Sequence, residues 1–198
     1  ESAATWLIAV AFREEDRVFW PEYIGIPAWT GPNARPLNLY SGNAGIALFF
    51  LKLFRVTGKP QYQKMAIAAA NHLVYKAKQS KTGYVWEHER ELSDDSIAAY
   101  PWEGLYNGDA GIGYVMLILG QDLHEAPYGQ YAQGAAQGIN DRASMIDTGS
   151  YWPFQMTDII AGNAGIILFL VELSKVTGKS EYLDQAQAAG NWLLALAQ

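Results

Sequence analysis

The chain has 198 residues and a formal net charge of −6, and half of its residues are hydrophobic while only 17% are charged. This balance excludes intrinsic disorder, which requires few apolar residues and high charge. The thin negative charge and the lack of a basic stripe argue against a nucleic-acid partner. The chain has no cysteine, which excludes disulfides and a thiolate zinc site within these residues.

Seven helices are predicted along the chain. In order they cover residues 2–13, 43–57, 60–79, 109–120, 128–145, 163–177 and 180–197. Those that follow a glycine-rich motif are apolar all round and are expected to be inner helices, whereas the alanine-rich amphipathic ones are expected to be outer. No alternating pattern runs far enough to predict a sheet. Gly58 and Gly178 are expected to end helices.

A repeat organises these helices. The segment Gly42-Asn43-Ala44-Gly45 recurs 120 residues later as Gly162-Asn163-Ala164-Gly165, and a third copy reads Gly108-Asp109-Ala110-Gly111. We interpret residues 1–198 as one domain, with repeats at about 1–57, 58–120 and 121–177 and a final outer helix at 180–198. An aromatic turn with a tryptophan precedes each motif, at Trp20, Trp86 and Trp152.

The two glycines of each motif are expected to let a neighbouring chain approach the first helical turn closely. Asn43, Asp109 and Asn163 are expected to cap exposed amides at the helix starts. The alternative is an anion site at these helix N-termini.

These motifs resemble the lanthionine synthetase C-like family. The resemblance rests on the three glycine motifs with their flanks, which read Leu39 to Phe49, Gly104 to Ile112 and Asp158 to Ile166. It covers nearly the whole chain but only the first half of the family's length. It implies an all-α fold, an α/α toroid of inner helices ringed by outer ones. It also implies an activity: addition of a peptide Cys thiol across dehydroalanine or dehydrobutyrine to form a thioether ring.

The resemblance assigns a catalytic acid/base or orienting role to Asp158. The alternative is that this carboxylate only favours the positive end of a nearby helix. The family holds zinc with two Cys and one His, and these ligands have no counterpart here, so no metal ligand is predicted in this chain. The expected partners are a peptide substrate or the missing C-terminal half of the toroid, or else further copies of the chain, because an arc of helix pairs leaves apolar flanks. With neither a signal peptide nor a membrane span in view, we expect a cytoplasmic protein.

The loop 93–103 is the second candidate site. It contains Asp94, Trp102 and Glu103, with Trp86 just before it, and carboxylates beside aromatic rings are typical of sugar binding. Substrate contacts are therefore predicted at Trp86, Trp102, Glu103 and Trp152, although the repeated tryptophans also suit core packing. A carbohydrate-active α/α-barrel enzyme using Asp94, Glu103 or Asp158 remains one alternative, and a non-catalytic peptide-binding scaffold remains another.

Overall fold

The computed structural model describes residues 2–20, 36–91, 97–124, 126–153 and 156–197. This part of the chain contains seven helices, which confirms the predicted all-α class. They are α1 Ser2–Val10, α2 Asn43–Thr57, α3 Pro60–Lys76, α4 Asp109–Leu123, α5 Ala126–Asn140, α6 Asn163–Thr177 and α7 Ser180–Leu196. None of the described helices is both long enough and apolar enough to cross a bilayer.

In the described part of the chain, three antiparallel strand pairs follow helices α1, α3 and α5, and a fourth lies between the second of these pairs and α4. They are β1 Phe12–Glu14 with β2 Arg17–Phe19, β3 Lys78–Gln79 with β4 Tyr84–Val85, β5 Glu87–Glu91 with β6 Ile97–Pro101, and β7 Ser144–Ile146 with β8 Gly149–Tyr151. Phe12 faces Phe19 in the first pair, and Ser144 faces Tyr151 in the last. The sequence did not predict these strands because two to five residues are too few for a recognisable alternation.

The helices form two layers. The inner helices α2, α4 and α6 each pair with the outer helix that follows, and α4 also contacts both α2 and α6. One continuous core fills the space between the layers and includes Phe50, Ile112, Met116 and Phe169, all fully buried. The apolar all-round character of the inner helices therefore reflects contacts on several sides at once.

Glycine ends the first and last inner helices, as predicted. Gly58 and Gly178 adopt left-handed backbone conformations with φ of 66° and 71°. Their amides donate to the carbonyls of Phe54 at 2.7 Å and Ser174 at 2.8 Å. Glycine takes this conformation without the steric cost that a Cβ would bring.

The repeated tryptophans lock the ends of the outer helices. Each indole Nε1 donates to a helix carbonyl 13 residues earlier, at 2.7 to 2.9 Å. The pairs are Trp20 with Leu7, Trp86 with Leu73, and Trp152 with Ile139. The last carbonyls of a helix have no partner within the helix, so each indole satisfies one of them while its ring fills the core.

Candidate site at the start of the inner helices

Three equivalent segments precede the inner helices, namely residues 36–42, 102–108 and 156–162, which we call the rim loops. Each folds back onto the helix that it introduces, because the first helical amide donates to a carbonyl seven residues earlier. The bonds join Asn43 to Pro36 at 3.0 Å, Asp109 to Trp102 at 2.7 Å and Asn163 to Met156 at 2.9 Å. The rim loops therefore lie together at the N-terminal end of the inner layer.

The paired glycines make this folding-back possible. A Cβ on Gly108 would lie 2.2 Å from the carbonyl oxygen of Trp102, and one on Gly111 would lie 1.9 Å from that of Leu105. Gly108 has an extended backbone, which any residue can adopt. The close approach of the rim loop, and not conformational freedom, therefore explains why this position is a glycine. The expected close packing at the glycine motifs is thus observed.

The prediction that Asn43, Asp109 and Asn163 cap the helix starts is wrong. The capping positions belong to the preceding glycines, and no side chain caps these helices. The three side chains are instead buried and turned backwards onto the aromatic turn. Asn43 Nδ2 donates to the Val18 carbonyl at 2.8 Å, and Asp109 Oδ1 accepts from the Trp86 amide at 3.1 Å.

A ladder of backbone hydrogen bonds joins the three rim loops. The Tyr40 amide donates to the Tyr106 carbonyl, and the Tyr106 amide donates to the Ile160 carbonyl, both at 2.9 Å. These three residues stand at the same position, two before the first glycine of each motif. Their side chains are exposed, by 78%, 36% and 54% respectively, so they form an apolar and aromatic surface along the rim.

Asp158 lies on this surface. Its carboxylate is exposed, and Oδ1 accepts hydrogen bonds from the amides of Ile160 at 2.6 Å and Ala161 at 3.0 Å. These amides, that of Ala161 above all, hold the pKa of Asp158 below its ordinary value, so the group is ionised at neutral pH. Asn38 makes the same kind of turn in the first rim loop by accepting from the Ser41 amide at 2.9 Å.

A buried charge cluster fixes the middle rim loop from behind. Arg142, in the turn after α5, donates from Nε to Glu103 at 2.7 Å and from Nη2 to Asp109 at 2.6 Å. Both carboxylates are almost fully buried, and burial raises the pKa of Asp109 to about 7 in spite of Arg142. Two carboxylates facing one guanidinium leave an excess negative charge that one proton balances.

The structure separates the residues predicted to contact substrate. Trp86 and Trp152 are buried and hold helix ends, and Glu103 is buried against Arg142. Trp102 is half-buried at the start of its rim loop, and Asp94 lies outside the described residues. Among the described residues of the three rim loops, only Asp158 presents an exposed charged group. The burial of both tryptophans favours the packing interpretation that the sequence left open.

Sequence reasoning missed four contributors to the site, namely three rim side chains and Arg142. The rim side chains Tyr40, Tyr106 and Ile160 could have been found from their constant distance to the glycine motifs. Arg142 carries no such signal, because it meets Glu103 only through the folding of distant segments.

The donor set of this chain does not fit a zinc site of the kind that the resemblance implies. The chain contains no cysteine, and His72 is buried against the ring of Phe19 at a centroid distance of 4.7 Å. The described residues bring together no cluster of three potential ligands from His, Asp and Glu.

A cavity of about 360 Å³ lies elsewhere, at the opposite end of the inner layer. It is lined by residues from the C-terminal ends of α4 and α6 and the first turns of α5, including Leu117, His124, Gln133 and Val176. It contains none of the residues that the sequence predicted to be functional.

Stacked helical hairpins with glycine-started inner helices and a shared rim define an α/α-toroid repeat protein. A family model described as "Lanthionine synthetase C-like protein" matches residues 33–195, and the chain belongs to this family. Among proteins with curated functions, none is significantly similar in sequence.

Solved structures with the same fold include two bacterial enzymes. One is a glycoside hydrolase family 76 mannosidase from Bacteroides thetaiotaomicron VPI-5482, with 15% identity and a TM-score of 0.53, covering 76% of this chain and 42% of that one. The other is a family 76 glycoside hydrolase from a bovine Bacteroides thetaiotaomicron strain, with 13% identity and a TM-score of 0.58, covering 86% of this chain and 36% of that one. At these identities the likeness concerns the fold alone, and this chain spans less than half of either enzyme.

Proposed function

We propose that the rim binds a dehydrated peptide and that Asp158 acts as acid/base in adding a Cys thiol across dehydroalanine or dehydrobutyrine. The observation that carries this proposal is an exposed, ionised carboxylate set in an apolar rim and in the family's own motif, Asp158 to Gly162. Membership of the lanthionine synthetase C-like family supports the reaction class.

The proposed chemistry is balanced within the peptide. The thiol sulfur bonds to the β-carbon, the double bond's electron pair moves to the α-carbon, and the proton lost from sulfur is returned to that carbon. Asp158 starts as a carboxylate, so it would accept the proton first and donate it second. Because Oδ1 is held by two amides, the orientation of the group is preset, as an acid/base within hydrogen-bond reach requires.

The apolar ladder supports peptide binding. Tyr40, Tyr106 and Ile160 expose side chains along one line of backbone hydrogen bonds, and exposed apolar and aromatic surface of this kind is typical of interaction sites. No step is assigned to a metal, because the donors of this chain do not fit the family's zinc site. Any such group would have to be held by residues other than those described.

The test is ring closure in a peptide that carries one dehydroalanine and one cysteine, with the full-length protein. Closure does not change the peptide mass, so it is followed as loss of thiol alkylation by mass spectrometry. Asp158→Asn is expected to lower the closure rate about 100-fold without changing peptide affinity, since acid/base catalysis typically contributes this much or more.

Asp147→Asn is the matched control, because Asp147 is exposed in the turn between β7 and β8 and should leave the rate unchanged. A folded Asp158→Asn protein with the parent rate would exclude the catalytic role. Peptide binding without any closure would instead favour the scaffold alternative.

The fold likeness to a mannosidase favours a second candidate, a carbohydrate-active enzyme. Glycoside hydrolysis commonly uses two facing carboxyl groups, but of the carboxylates proposed for it, Glu103 is buried and bound to Arg142, whereas Asp158 is exposed. Manno-oligosaccharide quenching of tryptophan fluorescence would support this candidate, and unchanged fluorescence would weaken it.

A further inference from the structure

One peptide group joins the middle rim loop to the turn that holds Asp158. Its carbonyl oxygen, that of Ile160, accepts a hydrogen bond from the Tyr106 amide at 2.9 Å. Its N–H, that of Ala161, donates to Asp158 Oδ1 at 3.0 Å. Because hydrogen bonds in series polarise one another, the bond from Tyr106 strengthens the bond that Asp158 accepts. The Ala161 amide is also the largest cause of the lowered pKa of Asp158.

The two rim loops are in direct contact beside this peptide group. A Cβ on Gly104 would lie 2.5 Å from the Cα of Ala161 and 2.7 Å from the Ile160 carbonyl oxygen. The equivalent position carries Asn38 in the first rim loop and Asp158 in the third, so the middle loop alone has no side chain there. The backbone of the middle loop therefore forms the surface against which the turn of Asp158 packs.

Arg142 holds the middle rim loop at both ends. Glu103 lies near the start of the loop and accepts a hydrogen bond from Nε at 2.7 Å, and Asp109 follows its end and accepts from Nη2 at 2.6 Å. Both carboxylates are almost fully buried. A guanidinium presents its donors in one rigid plane, so binding two carboxylates through separate nitrogens fixes their separation. We call these three side chains the clamp.

The clamp belongs to this loop alone among the three. In place of Glu103, the first rim loop carries Leu37 and the third carries Thr157. In place of Asp109, both of the other units carry asparagine. Burying charged groups costs free energy that an apolar contact would not. A clamp found only behind the loop that contacts the turn of Asp158 therefore points to a function beyond packing.

We propose that Arg142 is a positioning residue for Asp158. Through Glu103 and Asp109 it holds the middle rim loop against the third, and the peptide group between the two loops then keeps the carboxylate oriented. The effect of the clamp on ring closure rests on the function proposed above. Its effect on the ionisation of Asp158 does not, and can be measured separately.

The first test is Arg142→Lys. Lysine keeps the positive charge but cannot reproduce the planar fork of arginine. We expect the pKa of Asp158 to rise towards its ordinary value, because a displaced middle loop weakens the amide bonds to the carboxylate. The pKa is read from the NMR shift of the carboxyl carbon, which is assigned by its absence in Asp158→Asn. Arg55→Lys is the matched control, since Arg55 pairs with Asp122 at the opposite end of the inner helices, and it should leave this pKa unchanged.

Glu103→Leu separates positioning from simple electrostatics. Leucine is the residue of the first rim loop at this position, and Arg142 keeps Asp109 as its partner. Removal of a negative charge would by itself lower the pKa of Asp158, because a like charge disfavours the ionised form. Loss of the clamp should raise it instead, and we expect the rise.

The kinetic test is ring closure by the full-length protein. Arg142→Lys is expected to lower kcat about 10-fold and to leave KM unchanged, because a misplaced acid/base slows the chemical step without altering the peptide contacts. Arg55→Lys should keep the parent values of both constants.

An unchanged pKa of Asp158 in folded Arg142→Lys would overturn the proposal, as would a lowered one in Glu103→Leu. Failure of both variants to fold, followed by circular dichroism, would also overturn it, because the clamp would then serve folding. A raised pKa of Asp158 in the variants of a parent protein that closes no ring would uphold the positioning role and reject the proposed function.

Discussion

At the scale of single residues, one equivalent position of the repeat carries an asparagine in two units and an aspartate in the third. Asn43, Asp109 and Asn163 each begin an inner helix and are buried, but only the middle one is ionisable. The amide side chains need no charge partner, whereas Asp109 is accompanied by Arg142. A buried carboxylate that is not paired is costly, which explains why an arginine from a distant turn reaches it.

Asp109 makes the stability of the protein depend on pH. Its pKa rises from 3.8 to about 7 on folding because burial disfavours the charged form. Between these values the unfolded chain ionises while the folded chain keeps its proton, so this group lowers the free energy of unfolding as the pH rises, by at most about 1.4 kcal/mol per pH unit. The contribution is fully favourable below pH 4 and lost above pH 7.

Asp109→Asn introduces the residue found in the other two repeats. It is expected to remove this dependence of the free energy of unfolding on pH. Urea unfolding of both proteins between pH 4 and 8 gives the difference in free energy at each pH. The free energy of unfolding of the variant should increase relative to that of the parent protein as the pH rises towards 7. Parallel curves would show that Asp109 does not hold the extra proton.

Trp86 allows a second test at this scale. Trp86→Phe keeps an aromatic ring in the core but leaves the Leu73 carbonyl without its indole donor. We expect a loss of about 1–3 kcal/mol in the free energy of unfolding, the typical cost of an unsatisfied buried group. Trp6→Phe is the control because Trp6 is 53% exposed, and an equal loss in both variants would contradict the capping role.

At the scale of elements, the start of each inner helix is stabilised by a rim loop, and the glycines of the helix leave the space in which that loop packs. The loop supplies carbonyls to the first helical amides, so the helix start needs no capping side chain. The glycines therefore serve packing, and their value depends on what lies beside each one.

A pair of glycine variants tests this dependence. Gly111→Ala would place its Cβ 1.9 Å from the Leu105 carbonyl oxygen, whereas a Cβ on Gly190 in α7 would meet nothing within 4 Å. Gly190→Ala is expected to stabilise the protein by up to about 1 kcal/mol, because alanine favours the helix. Gly111→Ala should destabilise the protein by more than that. The free energies of unfolding of both variants are measured by thermal or urea unfolding. Changes of the same sign in the two variants would contradict this account.

At the scale of the whole molecule, the repeat assembles a surface that no single unit contains. The ladder through Tyr40, Tyr106 and Ile160 exists only because three rim loops stack side by side. It places the carboxylate of Asp158 beside exposed apolar side chains, which is the basis of the proposed function.

The sequence predicted much of the fold because the helical signals are local. Apolar periodicity, the stops at Gly58 and Gly178 and the repeated glycine motif each lie within a few residues, so their spacing alone indicated seven helices in hairpin units. The short strands escaped prediction since two to five residues carry too little pattern.

The site was less accessible from the sequence. Asp158 was predicted because it belongs to a motif, but the burial of Glu103, Trp86 and Trp152 could not be read from their residue types, which suit both binding and packing. Composition and spacing thus determined the helices, the repeat and the family resemblance. The tertiary structure alone decided that Asp158 is exposed, that Glu103 and Asp109 are bound to Arg142, and that Trp86 and Trp152 are buried. Burial and pairing depend on contacts between segments far apart in the chain, and the tertiary fold alone creates those contacts.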